Sequence, residues 1–268
     1  MRVGLALLLT STLALAQVVE GAFRGDPGPL DFIRGTGPDQ AILQALAGDA
    51  LVGVDAKGAL VPRLAHRWEL RGHELRFSLR RDATFPDGTH VSAQDALWTL
   101  QELQRDPGAD PEKRQALAGA GLFIQARQLV VRSPRPADSL LRDLARIPIA
   151  RRGHREQGSG PFHLLKAGPE WQLHRRAHFL GPRLEGFHFR IVPEVPPALR
   201  EGRLHLGVPG PTPGPLPPSH RALTLVGSGE VHWVDHRLEA EGSPAGLFGG
   251  TPGPAAWRWR QAPPKVRR

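Results

Sequence analysis

From Leu75 to Arg80 the chain alternates without a break: Leu75, Phe77 and Leu79 are apolar, while Arg76, Ser78 and Arg80 are polar. A period of two with one apolar face predicts a half-buried antiparallel strand. Trp68 to Leu79 therefore reads as a hairpin turning at Arg71-Gly72. Phe85-Pro86-Asp87-Gly88 carries turn chemistry, because proline presets one dihedral and glycine accepts a positive φ. Ser92 followed by Asp95 makes a capping-box start to a helix. Behind it Ala93, Ala96, Leu97, Leu100 and Leu103 recur at helical spacing, with Gln94, Asp95, Gln101 and Glu102 mostly on other faces. Pro107-Gly108 ends that helix.

Patterning elsewhere is weaker but continuous. Ala22 gives a short apolar start before the Gly/Pro-rich turn that runs to Asp31, and Ile42, Leu43 and Leu46 place an amphipathic helix over Pro38 to Leu46. Pro38 and Asp39 suit its first turn, and Gly48 stops it. Leu51 to Val54 is a strand, Asp55 to Gly58 a turn, and Pro62 ends the return segment. Leu129 to Arg132 is another strand, and Ala137 to Arg146 a helix carrying Leu140, Leu141 and Leu144. Gly158 to Ile191 reads as strands with turns at Gly168-Pro169 and Gly181-Pro182.

From Val208 the run VPGPTPGPLPP removes backbone donors and reads as a linker. A hairpin follows, Ala222 to Val226 and Glu230 to Val234, and then Gly242 to Pro254 leads to a basic, disordered tail. At the other end Arg2 precedes an apolar run from Val3 to Ala16 that closes on Ala14-Leu15-Ala16, the pattern of a cleavable secretory signal. It falls short of the roughly 20 apolar residues that cross a bilayer. The expected organisation is thus a signal peptide over 1–16, a folded lobe over 17–207, and a linker, hairpin and tail over 208–268.

The chain has 268 residues and 40% hydrophobic content, enough to build a core, which excludes collagen-like and wholly disordered classes. With no cysteine it forms no disulfide and carries no lipid-modified cysteine. Lys57, Lys113, Lys166 and Lys265 are its only lysines, so arginine supplies nearly all of the +9 charge. Spread along the chain, that charge means solubility and attraction to anions.

Several blocks, in order, resemble the N-terminal lobe of the family 5 solute-binding proteins, the extracytoplasmic peptide and nickel receptors of ABC importers. GDPGPLD (Gly25 to Asp31) is similar to the loop after the first strand, with Phe32 where an "LDP" pattern has its proline. VPRLAHRWE (Val61 to Glu69) resembles "P-x-LA-x-x-W", and Leu75 to Gln94 resembles "FxLRxxxxFxDGTPVTAxD", with His90 in place of the usual proline. Gln128 to Leu144 matches the strand, proline and helix that follow, and GSGPF (Gly158 to Phe162) is similar to "GTGPY". Arg175 to Gly181 and Leu199 to Gly202 resemble altered "RNxxYW" and "ALxxGELD" blocks.

The resemblance covers most of residues 22 to 207 and implies an α/β, periplasmic-binding-protein-like (class II type) first lobe with a mixed sheet and flanking helices, the second lobe being absent. It implies capture of a small solute, an oligopeptide before nickel, outside the membrane in the periplasm, delivery to ABC permease subunits, and no catalysis. Closure of such receptors uses both lobes, so one lobe binds weakly. The ligand-binding residues it nominates are Asp26, Gly28, Pro29 and Leu30, whose other reading is an ordinary strand-to-helix turn.

Other constellations carry less. His174 and His178 have an H-x3-H spacing but sit where strand runs into loop, so no metal or other cofactor is expected. Gly158-Ser159-Gly160 lacks the spacing of a nucleophile elbow or a P-loop. Asp235 and His236 have no serine to join them, and Asp82, Asp87 and Asp95 have turn or cap roles. Trp257 and Trp259 alternate with Arg258 and Arg260, but no nucleic-acid motif accompanies them, and no nucleic-acid partner is expected. The alternative reading is a basic extracytoplasmic interaction protein that binds acidic surfaces and has no transport role.

Overall fold

The computed structural model describes residues 17–23, 25–54, 58–176 and 184–192, together with the strands at 206–207, 220–225, 231–235 and 257–260. In chain order the elements are β1 (Gln17–Phe23), α1 (Pro38–Ala47), β2 (Val52–Val54), β3 (Leu60–Pro62), β4 (Ala65–Arg71), β5 (Glu74–Leu79), α2 (Ala93–Arg105), α3 (Pro111–Ala116), β6 (Gly121–Gln125) and β7 (Gln128–Arg132). Next come α4 (Ala137–Leu144), β8 (Ala150–Arg151), β9 (His154–Gly158), β10 (Phe162–Lys166), β11 (Glu170–Arg175), β12 (Leu184–Ile191), β13 (Leu206–Gly207), β14 (His220–Leu225), β15 (Val231–Asp235) and β16 (Trp257–Arg260).

The expected mixed sheet is present with eight strands in the order β10-β11-β12-β1-β13-β15-β14-β16, and a second, four-stranded sheet runs β4-β5-β7-β6. In the larger sheet β1 lies parallel to both β12 and β13, and the other pairings are antiparallel. Trp257–Arg260, within the stretch expected to be a disordered tail, is a strand paired with β14. The signal segment, the Pro-rich linker from Val208, the turn at Gly181-Pro182 and the tail beyond Arg260 lie outside the described residues.

Each sheet has its own core. Leu75 and Phe77 of β5 and Leu129 and Val131 of β7 pack with Ala96, Leu100 and Leu103 of α2 and with Leu140, Leu141 and Leu144 of α4. Ile42, Leu43 and Leu46 of α1 cover the larger sheet through Val19, Phe23, Trp171, Leu173, Phe187 and Phe189. The Phe23 ring stacks on Phe189 at 4.6 Å and meets Trp171 edge-on at 5.2 Å, pairs worth about 0.5–1.5 kcal/mol beyond their burial.

The capping box forms as expected: Asp95 Oδ2 accepts the Ser92 N–H at 2.9 Å, and Ser92 Oγ accepts the Asp95 N–H. Asp95 does more than cap, since its Oδ1 accepts the Arg152 N–H at 3.0 Å. Thr99 Oγ1 likewise accepts the Ala150 N–H at 3.1 Å. Both residues are buried, so the polar edge of α2 docks the β8–β9 ribbon, and Leu97 is only partly buried. α3, β6, β8, β9 and β13 are additional to the elements read from sequence. None of the apolar residues of α3 is fully buried, and so it shows no apolar stripe.

Arg176 joins the two sheets. Its guanidinium donates to Ser159 O and Gly160 O at 3.2 Å, to Thr84 Oγ1 at 2.8 Å and to Phe85 O at 2.9 Å. The GSGP loop, the FPDG turn and the Arg-Arg block are therefore one structural knot. Only glycine fits at Gly158 and Gly160, because a Cβ there would come within 2.3 Å and 2.5 Å of the Ala47 backbone. Arg176→Met keeps most of the volume but strips these buried carbonyls of their donor, at about 1–3 kcal/mol each. Urea unfolding should show a loss of about 3 kcal/mol or more, and a loss below about 1 kcal/mol would count against the knot.

Candidate functional site

Ligands of open α/β sheets collect at the carboxyl ends of the parallel strands. In this chain β1 leaves that edge into the segment 25–35, which has no helix or strand of its own and takes its shape from its partners. α1 supplies the first set. Gln40 Nε2 donates to Pro27 O and Pro29 O, both at 2.7 Å, and Gln44 Nε2 donates to Asp31 O at 2.7 Å and Gly35 O at 2.9 Å. The two glutamines stand at i and i+4, one above the other, and both are buried. Asp31 Oδ1 then accepts the N–H groups of Ile33 and Arg34 at 2.7 and 2.9 Å.

A second set comes from the α2 end. Asp106 accepts Arg34 Nε at 2.8 Å and Arg34 Nη2 at 3.1 Å, Arg155 Nη1 at 2.6 Å and the Gly108 N–H at 2.9 Å. The Arg34 guanidinium, the Gly108 N–H and Arg155 hold its carboxyl well below the usual carboxylate range. Phe32 donates its N–H to Arg155 O at 2.9 Å. Lys113 of α3 donates to Gln44 Oε1 at 2.6 Å, and burial pushes its ammonium pKa down while Asp110 pulls the other way.

On this frame Asp26 and Pro29 are exposed, and Gly28 lies between them at φ 70. The Gly28 N–H donates to Asp26 Oδ1 at 2.7 Å, closing an Asx-type turn. Leu30 turns the other way and is only 4% exposed in the core, so it anchors the loop. Sequence reading missed Gln40, Gln44, Asp106 and Lys113. The glutamines had one visible signal, polar residues inside the apolar stripe of Ile42, Leu43 and Leu46.

The remaining sequence candidates fall apart or serve structure. His174 is exposed and faces His163 across β10 and β11, while His178 lies outside the described residues. Among the described residues no three His, Asp or Glu side chains are placed to hold a metal ion. Ser159 is buried beside the Arg176 knot, Asp235 is in β15, and His236 lies outside the described residues. Asp82 pairs with Arg80, which draws its carboxyl down to about 2. Asp87 accepts the Thr89 N–H and hydroxyl at 3.0 and 2.6 Å.

No protein-family model matches the sequence. Over 95 residues, 35% of this chain and 18% of the relative, the sequence is 32% identical to the periplasmic murein peptide-binding protein MppA of Escherichia coli. The solved structure of the Escherichia coli murein tripeptide binding protein MppA superposes with TM-score 0.67 at 18% identity, covering 79% of this chain and 51% of that one. The oligopeptide-binding protein AppA from Bacillus subtilis, in complex with a nonapeptide, gives 0.62 at 16% identity over 72% and 44%. A nickel ABC transporter structure from Bacillus halodurans gives 0.59 at 20% identity over 71% and 42%. These likenesses show the fold: one α/β lobe of the periplasmic-binding-protein-like class II type. The chain spans about half the length of the solved proteins it matches.

Because the Asp106 pKa is depressed in the fold, its contribution is present above the ordinary aspartate pKa of about 3.9 and is lost as pH falls through the folded value. In thermal unfolding Asp106→Asn should be destabilised by a constant amount from neutral pH to about pH 5, and the gap to the parent should narrow below about pH 4. A gap that widens in acid would contradict the Arg34–Asp106–Arg155 clamp.

Proposed function

We propose that this chain is a solute-binding component that captures an oligopeptide outside the membrane for an ABC permease. The observation that carries the reading is the loop at the carboxyl end of β1. Gln40 of α1 fixes its carbonyls, and it exposes Asp26 and Pro29 on either side of the half-buried Gly28 while Leu30 holds it to the core. A preformed loop loses little entropy on contact with a flexible peptide, which lets a few polar contacts count. The fold shared with peptide-binding proteins supports the solute class, and the apolar N-terminal run ending at Ala16 supports a periplasmic location. In this reading the loop forms one wall of a cleft, and a second wall must close over the solute for tight capture.

Isothermal titration of the purified chain with pooled di- to pentapeptides tests the reading, with oligomeric state measured in the same buffer. Saturable binding is expected. Gly28→Val, which puts a β-branched residue at positive φ, should weaken it at least about tenfold and cost only about 1–2 kcal/mol of stability. No heat from a folded chain would sink the proposal, and saturable binding of nickel in place of peptide would reassign the solute.

A further inference from the structure

The four-stranded sheet buries one face against α2 and leaves the other uncovered by any described helix. Register fixes what that outer face carries. Arg67 lies opposite Ser78, Glu69 opposite Arg76, and Arg71 opposite Glu74, which in turn lies opposite Arg132. Directly opposed residues share a face, so Arg67, Arg71, Arg76 and Arg132 stand together around Glu69 and Glu74. Arg67, Arg71 and Arg132 are 63%, 67% and 62% exposed. Arg127 adds another exposed cation at the turn joining β6 to β7.

Each carboxylate is shared. Glu74 takes Arg76 and Arg132, both at 2.6 Å, and Glu69 takes Arg71 at 2.9 Å and Arg67 at 3.9 Å. Two acids against four guanidiniums leave a positive surface with many more N–H donors than acceptors. Arg132 also lies 5.4 Å above the Phe123 ring, which steadies the plane of its fork. A guanidinium fork matches phosphate oxygens, and the chain spreads several forks over strands about 4.8 Å apart instead of gathering them around a cavity.

We propose that this outer face, centred on the exposed Arg67, Arg71 and Arg132 with Arg76 largely buried between them, docks the protein onto the phosphate plane of an anionic phospholipid bilayer. A nearly flat array meets many headgroups at once, whereas one small anion would reach only one or two of its arginines. The paired glutamates keep the guanidiniums extended and spaced in the absence of lipid. Docking of this kind would hold the protein beside the membrane and leave the loop at the β1 edge open, because the two surfaces belong to different sheets.

Co-sedimentation with vesicles of phosphatidylcholine alone, or containing about one third phosphatidylglycerol, tests the proposal. The parent chain should bind the anionic vesicles in excess over the neutral ones, and raised salt should remove that excess. Each basic residue near such a surface is worth about fivefold in partitioning, so R67Q/R71Q/R132Q should lower the excess roughly a hundredfold. R105Q/R114Q/R152Q removes equal charge from exposed positions elsewhere and should lower it less than about fivefold. Equal losses in the two triples would mean that net charge, not this face, does the work. No excess binding by a folded parent chain would overturn the proposal, and so would stronger binding to soluble polyphosphate than to vesicles at equal phosphate. Circular dichroism and the peptide titration, both expected unchanged in R67Q/R71Q/R132Q, keep this outcome separate from that of the receptor reading.

Discussion

A guanidinium taken almost entirely out of water costs several kcal/mol unless its donors are met, and Arg176 meets that demand with main-chain oxygens from two distant turns and one hydroxyl. Burial pulls its pKa below the usual value for arginine, and the nearby Asp87 carboxylate works against that pull. The arrangement ties the GSGP loop, the FPDG turn and the Arg175-Arg176 pair to one another. They hold the two sheets in one relation, and everything at the carboxyl edge of β1 is measured from that relation.

From this knot the argument runs outward to the loop. Gly158 and Gly160 press against the end of α1, which sets the helix, and the helix presents Gln40 and Gln44 along one side. The glutamines fix the carbonyls of the loop, while Asp106 and Arg155 fix its far end from the other core. A segment with no regular structure thus becomes one of the better tethered parts of the molecule. Polar contacts are suited to this, since they set position and orientation where apolar packing sets only proximity.

What could be read in the sequence was whatever the chain decides locally. The β4–β5 hairpin, the Ser92–Asp95 cap and the turn at Gly88 depend on residues a few positions apart, and all three stand where the pattern put them. The burial of Asp95 and Thr99 could not be read, because their partners Arg152 and Ala150 arrive from a ribbon more than 50 residues on. Asp106 looked like a helix end before Pro107, and its grip on Arg34 spans 72 residues. Periodicity finds faces; it does not find which polar residue a distant segment will claim. The candidate loop was legible as a position, from its place between strand and helix, but the side chains that hold it were not.

The placement of β1 also governs the order of assembly. Glu20 and His188 touch on adjacent strands although 168 residues separate them, and β13 on the other side comes later still. The four-stranded sheet with α2 and α4 draws on a compact middle stretch and can form from what is already at hand. Among the described strands β1 waits across the longest stretch of chain for its neighbours, so closing the central parallel pair bears the largest chain-entropy cost and falls late in folding. Until then its backbone N–H and C=O groups stay unpaired, an edge open to pairing with another copy of the chain.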